Sequence, residues 1–212
     1  MKKTLQTLGK ALGLSVLLAA SQAGADVVTI TGSITSSTTW YATNSYTLVG
    51  KVYVQTGANL TIEPGTIIKG TNDTTLFGSL FVCQGAKIFA QGTPDRPIIF
   101  TSTADNIGTA GVWPNLGLYD RGLWGGIVLL GNSSLNSAVD ATGNGSSPKY
   151  DIYEGLPDTI INGQNVHRFG GNNDADSSGV MRYVSIRHGG KRLESNKEIN
   201  GLSFCGVGSS TV

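Results

Sequence analysis

The residues Asn172-Asn173-Asp174-Ala175-Asp176-Ser177-Ser178-Gly179 set oxygen-bearing side chains at every second position ahead of a glycine. That spacing echoes the opening of a calcium loop, D-x-[DN]-x-[DN]-G, in which alternate oxygens wrap a hard cation and the glycine lets the chain turn. Asp174, Asp176 and Ser178 are therefore the candidate metal ligands, and calcium is the one cofactor the sequence admits. The twelfth position of the pattern is Ser185 rather than glutamate, so the bidentate ligand is missing. A polar Asx-type turn leading into Val180 accounts for the same residues.

A second group could do acid–base or anion-binding work. Asp151, Glu154, Asp158, Arg182, Arg187, His188, Lys191 and Arg192 carry the carboxylates and cations that polysaccharide lyases and hydrolases need. Arg182, Arg187 and His188 lie along one expected strand, Val180 to Gly190, and its exit, which makes an outward basic patch. A solvated strand face explains the same charges. Trp113, Tyr119 and Trp124 could stack on sugar rings, or could seal a loop against the body of the protein.

Catalytic residues are not assigned. The only histidines are His167 and His188, and nothing in the sequence sets either against a serine and an aspartate. There is no G-x-S-x-G elbow, no H-E-x-x-H and no clustered Cys/His set. Gly125-Gly126 and Gly170-Gly171 lack the strand–loop–helix setting of a phosphate cradle and read as corners.

The elements that must position these groups begin after a leader. Met1-Lys2-Lys3 with Lys10, the apolar run Ala11 to Ala20, and Ala23-Gly24-Ala25 before Asp26 have the three parts of a secretory signal peptide. The apolar run is too short to span a bilayer, and no cysteine follows it to carry a lipid. Residues 1–25 are expected to be removed, leaving 187 of the 212. Without Lys2, Lys3 and Lys10, the 15 basic residues fall to 12 against 14 acidic ones, a formal charge of −2. Such a chain has no general attraction for nucleic acid or acidic membranes. Cys83 and Cys205 each close an apolar run, as small buried side chains do. Buried free thiols are the expectation and a single disulfide the alternative.

Thirty glycines and 14% charged residues point to a turn-rich β protein. The chain also repeats itself. Gly57-Ala58-Asn59-Leu60-Thr61-Ile62 lies over Gly85-Ala86-Lys87-Ile88-Phe89-Ala90, 28 residues on, and Val52-Tyr53-Val54 lies over Leu80-Phe81-Val82. Short strands at such a period, without helical periodicity between them, suit one coil of a solenoid stacked on the next. Leu60 and Ile62 then point inward, Thr61 and Glu63 outward, and Gly57 and Gly65 are corners. Segments 124–131, 180–190 and 200–208 read as further coils, with Met181, Tyr183 or Val184, and Ile186 as core. Residues 102–122 and 132–178 read as long loops extruded between them, where any function is expected to lie. A β-sandwich would predict hairpins, and no Asn-Gly or Asp-Gly turn tightly flanked by matched strands is apparent.

Taken together, LTIEPGTIIKG, GSLFVCQGAKIFAQGTPDRPIIFTS, WGGIVLLG, GVMRYVSIRHGG and INGLSFCGVGSSTV resemble a family of secreted bacterial right-handed parallel β-helix proteins of pectin-lyase-like fold. The resemblance covers about residues 48–212 and brings no catalytic motif that transfers residue by residue. It implies an all-β, right-handed parallel β-helix with long loop insertions over 51–212, preceded by an amino-terminal cap or linker at 26–50. The pattern breaks off at Ser210-Thr211-Val212, so a helix incomplete at its carboxy terminus is expected, with a sorting or anchoring domain as one continuation. The resemblance is nearly mute as to activity, and the function expected is an exported, non-enzymatic module for surface adhesion, scaffolding or glycan contact. The alternative is a polysaccharide lyase or glycoside hydrolase. The implied partners are extracellular polysaccharide or cell-surface components, and the implied place is outside the cell or on the outer membrane of a Gram-negative-type bacterium.

Overall fold

A computed structural model describes residues 26–109, 113, 115–136 and 150–212. The expected signal peptide, residues 1–25, lies outside them. Every regular element among the described residues is a strand. The first turn of the chain is β1 (Asp26–Ile34) and β2 (Thr38–Trp40), and the second is β3 (Asn44–Val54) and β4 (Asn59–Ile62). The third is β5 (Ile67–Gly70), β6 (Ser79–Val82) and β7 (Lys87–Gln91). The fourth runs through β8 (Ile98–Ser102) and β9 (Ile127–Leu130). It then makes an excursion holding β10 (Asp151–Ile152), β11 (Ile160–Ile161), β12 (Gln164–Asn165) and β13 (Arg168–Phe169), and returns as β14 (Gly179–Arg182). The fifth has β15 (Val184–Ile186), a hairpin of β16 (Arg192–Glu194) and β17 (Lys197–Glu198), and β18 (Leu202–Cys205).

These turns are coils of a parallel β-helix with three faces. The first face stacks the start of β1 and of β3, then β5, β8 and β15. The second stacks the ends of β1 and β3, then β6, β9 and β18. The third stacks β2, β4, β7 and β14. All these pairings are parallel. β1 and β3 serve two faces each because Gly32 (φ +65°) and Gly50 (φ +68°) bend them, in a region where a side chain would be strained. Residues 26–50 thus continue the solenoid, with Asp26 to Thr31 in register with Asn44 to Val49.

The 28-residue repeat is the register of two faces, with Val52 beside Leu80 and Leu60 beside Ile88. On the first face the step becomes 32 residues, Ile67 beside Ile99, because the corner at 92–97 is longer than that at 63–66. Leu60 and Ile62 are buried, and Thr61 is exposed. They join Leu48, Ile68, Leu80, Ile88, Phe100 and Ile127 in the lumen, and Trp40 stacks on Tyr46 (centroids 4.9 Å) toward the amino-terminal end. Glu63 is not merely solvated, since its Oε2 accepts the Ala42 amide at 3.0 Å and so ties neighbouring corners together.

Long insertions enter only at the two corners that flank the second face. They occupy 71–78, 103–126 and 187–201 on one side of it and 131–178 on the other. The outward side chains of the second face are consequently buried. Tyr53, Phe81, Cys83, Val128 and Leu130 form an outer apolar layer with Phe77, Tyr153, Val166 and Ile199 from the insertions. Segment 150–169 is therefore a packed cover rather than a free loop. It includes a hairpin the sequence reading passed over. Asn162 (φ +52°) and Gly163 (φ +77°) form a two-residue turn that pairs Ile161 with Gln164.

Cys83 and Cys205 are free thiols, and burial pushes them up to about 12 and about 11. Cys205 pairs with Leu130, and Cys83 follows the Val82–Leu129 pair, so Leu130 stands between them. Two strand spacings, about 9.5 Å, separate the thiols. A disulfide cannot bridge that distance.

Replacing Leu60 by Ala is expected to cost about 2–5 kcal/mol, through lost burial and the cavity left in a closed lumen. Thr61→Ala, one residue away and exposed, is expected to stay within about 0.5 kcal/mol. Urea unfolding of the two variants beside the parent checks both.

Candidate functional site

The outer side of the first face is where polar groups converge. With Tyr46, Ile68 and Phe100 turned inward, alternation turns Thr47, Lys69 and Thr101 outward, and these three are register partners on adjacent strands. The Arg187 amide bonds to the Phe100 carbonyl at 2.9 Å, which extends the row to Arg187. A parallel row, Ser45, Ile67, Ile99 and Ser185, runs beside it. Toward the amino-terminal end the two rows floor a cleft of about 350 Å3, lined by Asn44, Ser45, Thr47, Ile67 and Lys69 and walled by Ile107, Gly108 and Thr109.

The wall is fastened by one carboxylate. Asp105 is 3% exposed. Its Oδ2 accepts the Thr101 hydroxyl at 2.8 Å, and its Oδ1 accepts the Ile107 amide at 2.9 Å. Its own carbonyl accepts the Lys69 ammonium at 2.7 Å. His188 closes the set. Its Nε2 stands 3.9 Å from Asp105 Oδ2, and its Nδ1–H donates to the Asp120 carbonyl at 2.6 Å. His188 does this from a left-handed backbone (φ +57°), unusual outside glycine. Lys69 is half-buried, and burial lowers its pKa from the usual lysine value, with the Asp105 charge opposing.

The sequence-derived candidates do not gather in one place. Arg187 and His188 reach the first face, and Arg187 Nε donates to Ser185 Oγ at 3.0 Å. Arg182 stands opposite Gln91 on the third face. Tyr183, taken as possible core, is the one-residue corner between the two (φ +48°) and is exposed, so segment 180–190 is two strands rather than one. Asp158 pairs with Arg168 at 3.7 Å, and Asp151 caps the Ile152 amide, both at the exposed surface of the excursion. Glu154 edges a separate hollow of about 370 Å3 with Tyr153, Phe169, Glu198 and Ser203. Lys191 and Lys51 lie over the Phe77 ring at 5.8 and 5.1 Å, and Arg192 Nε bonds to the Glu194 carbonyl. Trp124 is fully buried with its Nε1–H on the Arg187 carbonyl, so it seals the corner and offers no ring to a sugar. Trp113 and Tyr119 are almost wholly exposed on the same insertion.

The proposed calcium ligands hold protein donors. Asp174 Oδ1 accepts the Ser133 hydroxyl and the Ser134 amide, at 2.9 and 2.8 Å. Asp176 Oδ2 accepts the Asn132 amide at 2.9 Å. The Ser178 amide donates to Thr211 Oγ1. The segment thereby pins the start of the excursion to its end and to residues 208–212. Among the described residues no three His, Cys, Asp or Glu side chains group as metal ligands would.

Lys69, Thr101 and Asp105 were missed by the sequence reading. Strand parity could have found the first two, since Lys69 and Thr101 each follow an inward residue. Nothing local could have placed Asp105, whose role depends on the loop folding back over the face. A family model of the pectate-lyase-like β-helix domain matches residues 32–212. The chain belongs to that family. No curated protein and no solved structure matches it. Membership in this pectate-lyase-like family accords with the three parallel faces and leaves the chemistry of the first-face cleft to be argued from its own residues.

Because Asp174 and Asp176 are engaged by amides and a hydroxyl, added calcium is expected to leave the melting temperature unchanged, and chelator likewise. Differential scanning calorimetry with calcium and with EDTA reads this directly. A rise in melting temperature with calcium would assign the segment a cation after all.

Proposed function

We propose that this β-helix is an exported, non-catalytic module that contacts a glycan along the outer side of its first face, for surface adhesion or scaffolding. The first-face cleft carries the reading. Hydroxyls and an amide from Asn44, Ser45, Thr47 and Thr109 surround one half-buried ammonium, Lys69, which is the mix that hydrogen-bonds sugar hydroxyls and pairs with an acidic substituent. The nearest carboxylate, Asp105, is occupied by the Thr101 hydroxyl and the Ile107 amide, so it serves the wall of the cleft rather than proton transfer.

One observation favours polysaccharide lysis as the second reading. Burial brings the Lys69 amine closer to neutrality, and Arg187 stands at the same face, so a base and a cation for a uronate are near each other. A single set of assays separates the two. A panel of neutral and acidic polysaccharides is expected to show binding by affinity electrophoresis, without unsaturated-product absorbance or new reducing ends. Lys69→Gln is expected to weaken binding of an acidic chain by about tenfold or more, the worth of one charge-assisted hydrogen bond. Product release that Lys69→Gln abolishes would install the lyase reading instead.

Export rests on the leader pattern of residues 1–25, and any extracellular or outer-membrane placement follows from it. Expression of the full chain in a Gram-negative host is expected to yield a periplasmic or secreted form whose amino terminus, read by mass spectrometry, is Asp26.

A further inference from the structure

His167 lies beneath the cover of the second face, 3% exposed, and the first-face cleft makes no use of it. Its Nδ1 carries the proton, because the partner at 2.7 Å is the Pro157 carbonyl, which can only accept. Its Nε2 is then the acceptor in the neutral ring, and it receives the Tyr53 hydroxyl at 2.9 Å. Tyr53 belongs to β3, in the body of the solenoid, whereas Pro157 belongs to the excursion. The ring is therefore a two-ended link between sheet and cover. It packs 5.6 Å from the Tyr53 ring and 5.5 Å from that of Phe81, inside the outer apolar layer.

A second proton has no good place here. It would make Nε2 a donor, so that the Tyr53 hydroxyl must turn its own proton away from its partner, and it would set a cation among aromatic rings. The charged groups facing the ring are Lys51 from β3 and Asp158 from the excursion. Lys51 repels an imidazolium. Asp158 attracts one, but it is exposed and pairs with Arg168. Burial is the largest influence and holds the His167 pKa below the ordinary histidine value.

We infer that His167 is an acid-operated clamp, whose neutral ring fastens residues 153–169 across the outer side of the second face and whose protonation releases them. Release would uncover Phe81, Val128, Leu130 and the Cys83 thiol, whose Sγ lies 3.8 Å from the Val166 carbonyl. The direction follows from linkage. A detached segment takes up its proton near the ordinary value of about 6.5, and a fastened one only at lower pH. The clamp is thus at full strength above about pH 6.5. Below it, the ratio of fastened to released forms falls by up to about tenfold per pH unit, until the fastened ring itself titrates.

Hydrogen–deuterium exchange on the full chain at about pH 7.5 and about pH 5, corrected for intrinsic rates, tests the clamp. The Tyr153 amide, which donates to the His167 carbonyl, and the Val166 amide, which donates to that of Thr159, report on the cover. They are expected to lose protection on acidification, by up to about tenfold per pH unit below about 6.5, while lumen amides of β4 and β7 keep theirs. His167→Gln retains a donor and an acceptor but does not titrate, and is expected to abolish the difference. Should that variant fail to fold, an NMR titration of the parent decides, since the chain has only two histidines and His188→Gln identifies the other signal. A His167 midpoint below 6.5 supports the clamp. Unchanged protection in the parent, an equal loss in His167→Gln, or a midpoint at or above 6.5 would overturn it.

Discussion

A parallel ladder repeats every 4.8 Å or so, and each coil must set its inward side chains over those of the coil before it. Everything else in this protein is arranged around that requirement. Val28, Tyr46, Ile68, Phe100 and Ile186 form one inward row, and Val52, Leu80, Ile127 and Leu202 another. A coil displaced by one residue would turn each of its inward side chains to the solvent. The chain between equivalent positions can therefore vary widely in length while its register cannot. Thr38 and Leu60 stack, and so do Ile88 and Gly179, although the first step spans 22 residues and the second 91.

The corners absorb this variation, and they do so unevenly. The corner from the third face to the first stays short, down to Tyr183 alone, because nothing is inserted there. The corners on either side of the second face take the insertions; residues 150–169 pack over that face, and 105–109 wall the first. The result is a molecule with three unlike sides. The second face is roofed by a separate apolar layer held by Tyr53, Phe81 and Tyr153, with Tyr153 also bonded to Ser203 at 2.8 Å. The first face is partly walled, leaving a polar cleft. The third face stays open, with Thr61 and Arg182 exposed to solvent. Position in the coil, more than residue type, decides whether a polar group is available to a ligand.

Much of this was legible. The repeat from Gly57 to Gly85 showed the coil, the alternation of Leu60 and Ile62 with Thr61 showed its inside, and two of the four insertions, 103–126 and 131–178, were placed within a few residues. The roof was also foreshadowed. Leu80-Phe81-Val82-Cys83 and Ile127-Val128-Leu129-Leu130 are unbroken apolar runs, where a strand open to water on one side would alternate. What misled was adjacency in sequence. Arg182 and Arg187 looked like one patch until Tyr183, with its positive φ, put them on different faces. Asp174 and Asp176 have the spacing of ligands, and what the sequence did not foretell is that each also accepts a backbone amide from some 40 residues earlier, those of Ser134 and Asn132.

The sequence by itself determined the solenoid, because inward parity and glycine corners are local properties that each coil states again. The apolar runs around Cys83 and Cys205 pointed to shielded thiols, while the strand register, with Leu130 between them, decided that they stay unpaired. Only the tertiary structure decided where polar chemistry could occur. Lys69 and Thr101 come from the strands of two coils, and Asp105 and His188 from two insertions. Likewise His167 meets Tyr53 across 114 residues. Stacking brings such groups together at right angles to the chain, a direction along which sequence order carries no distance.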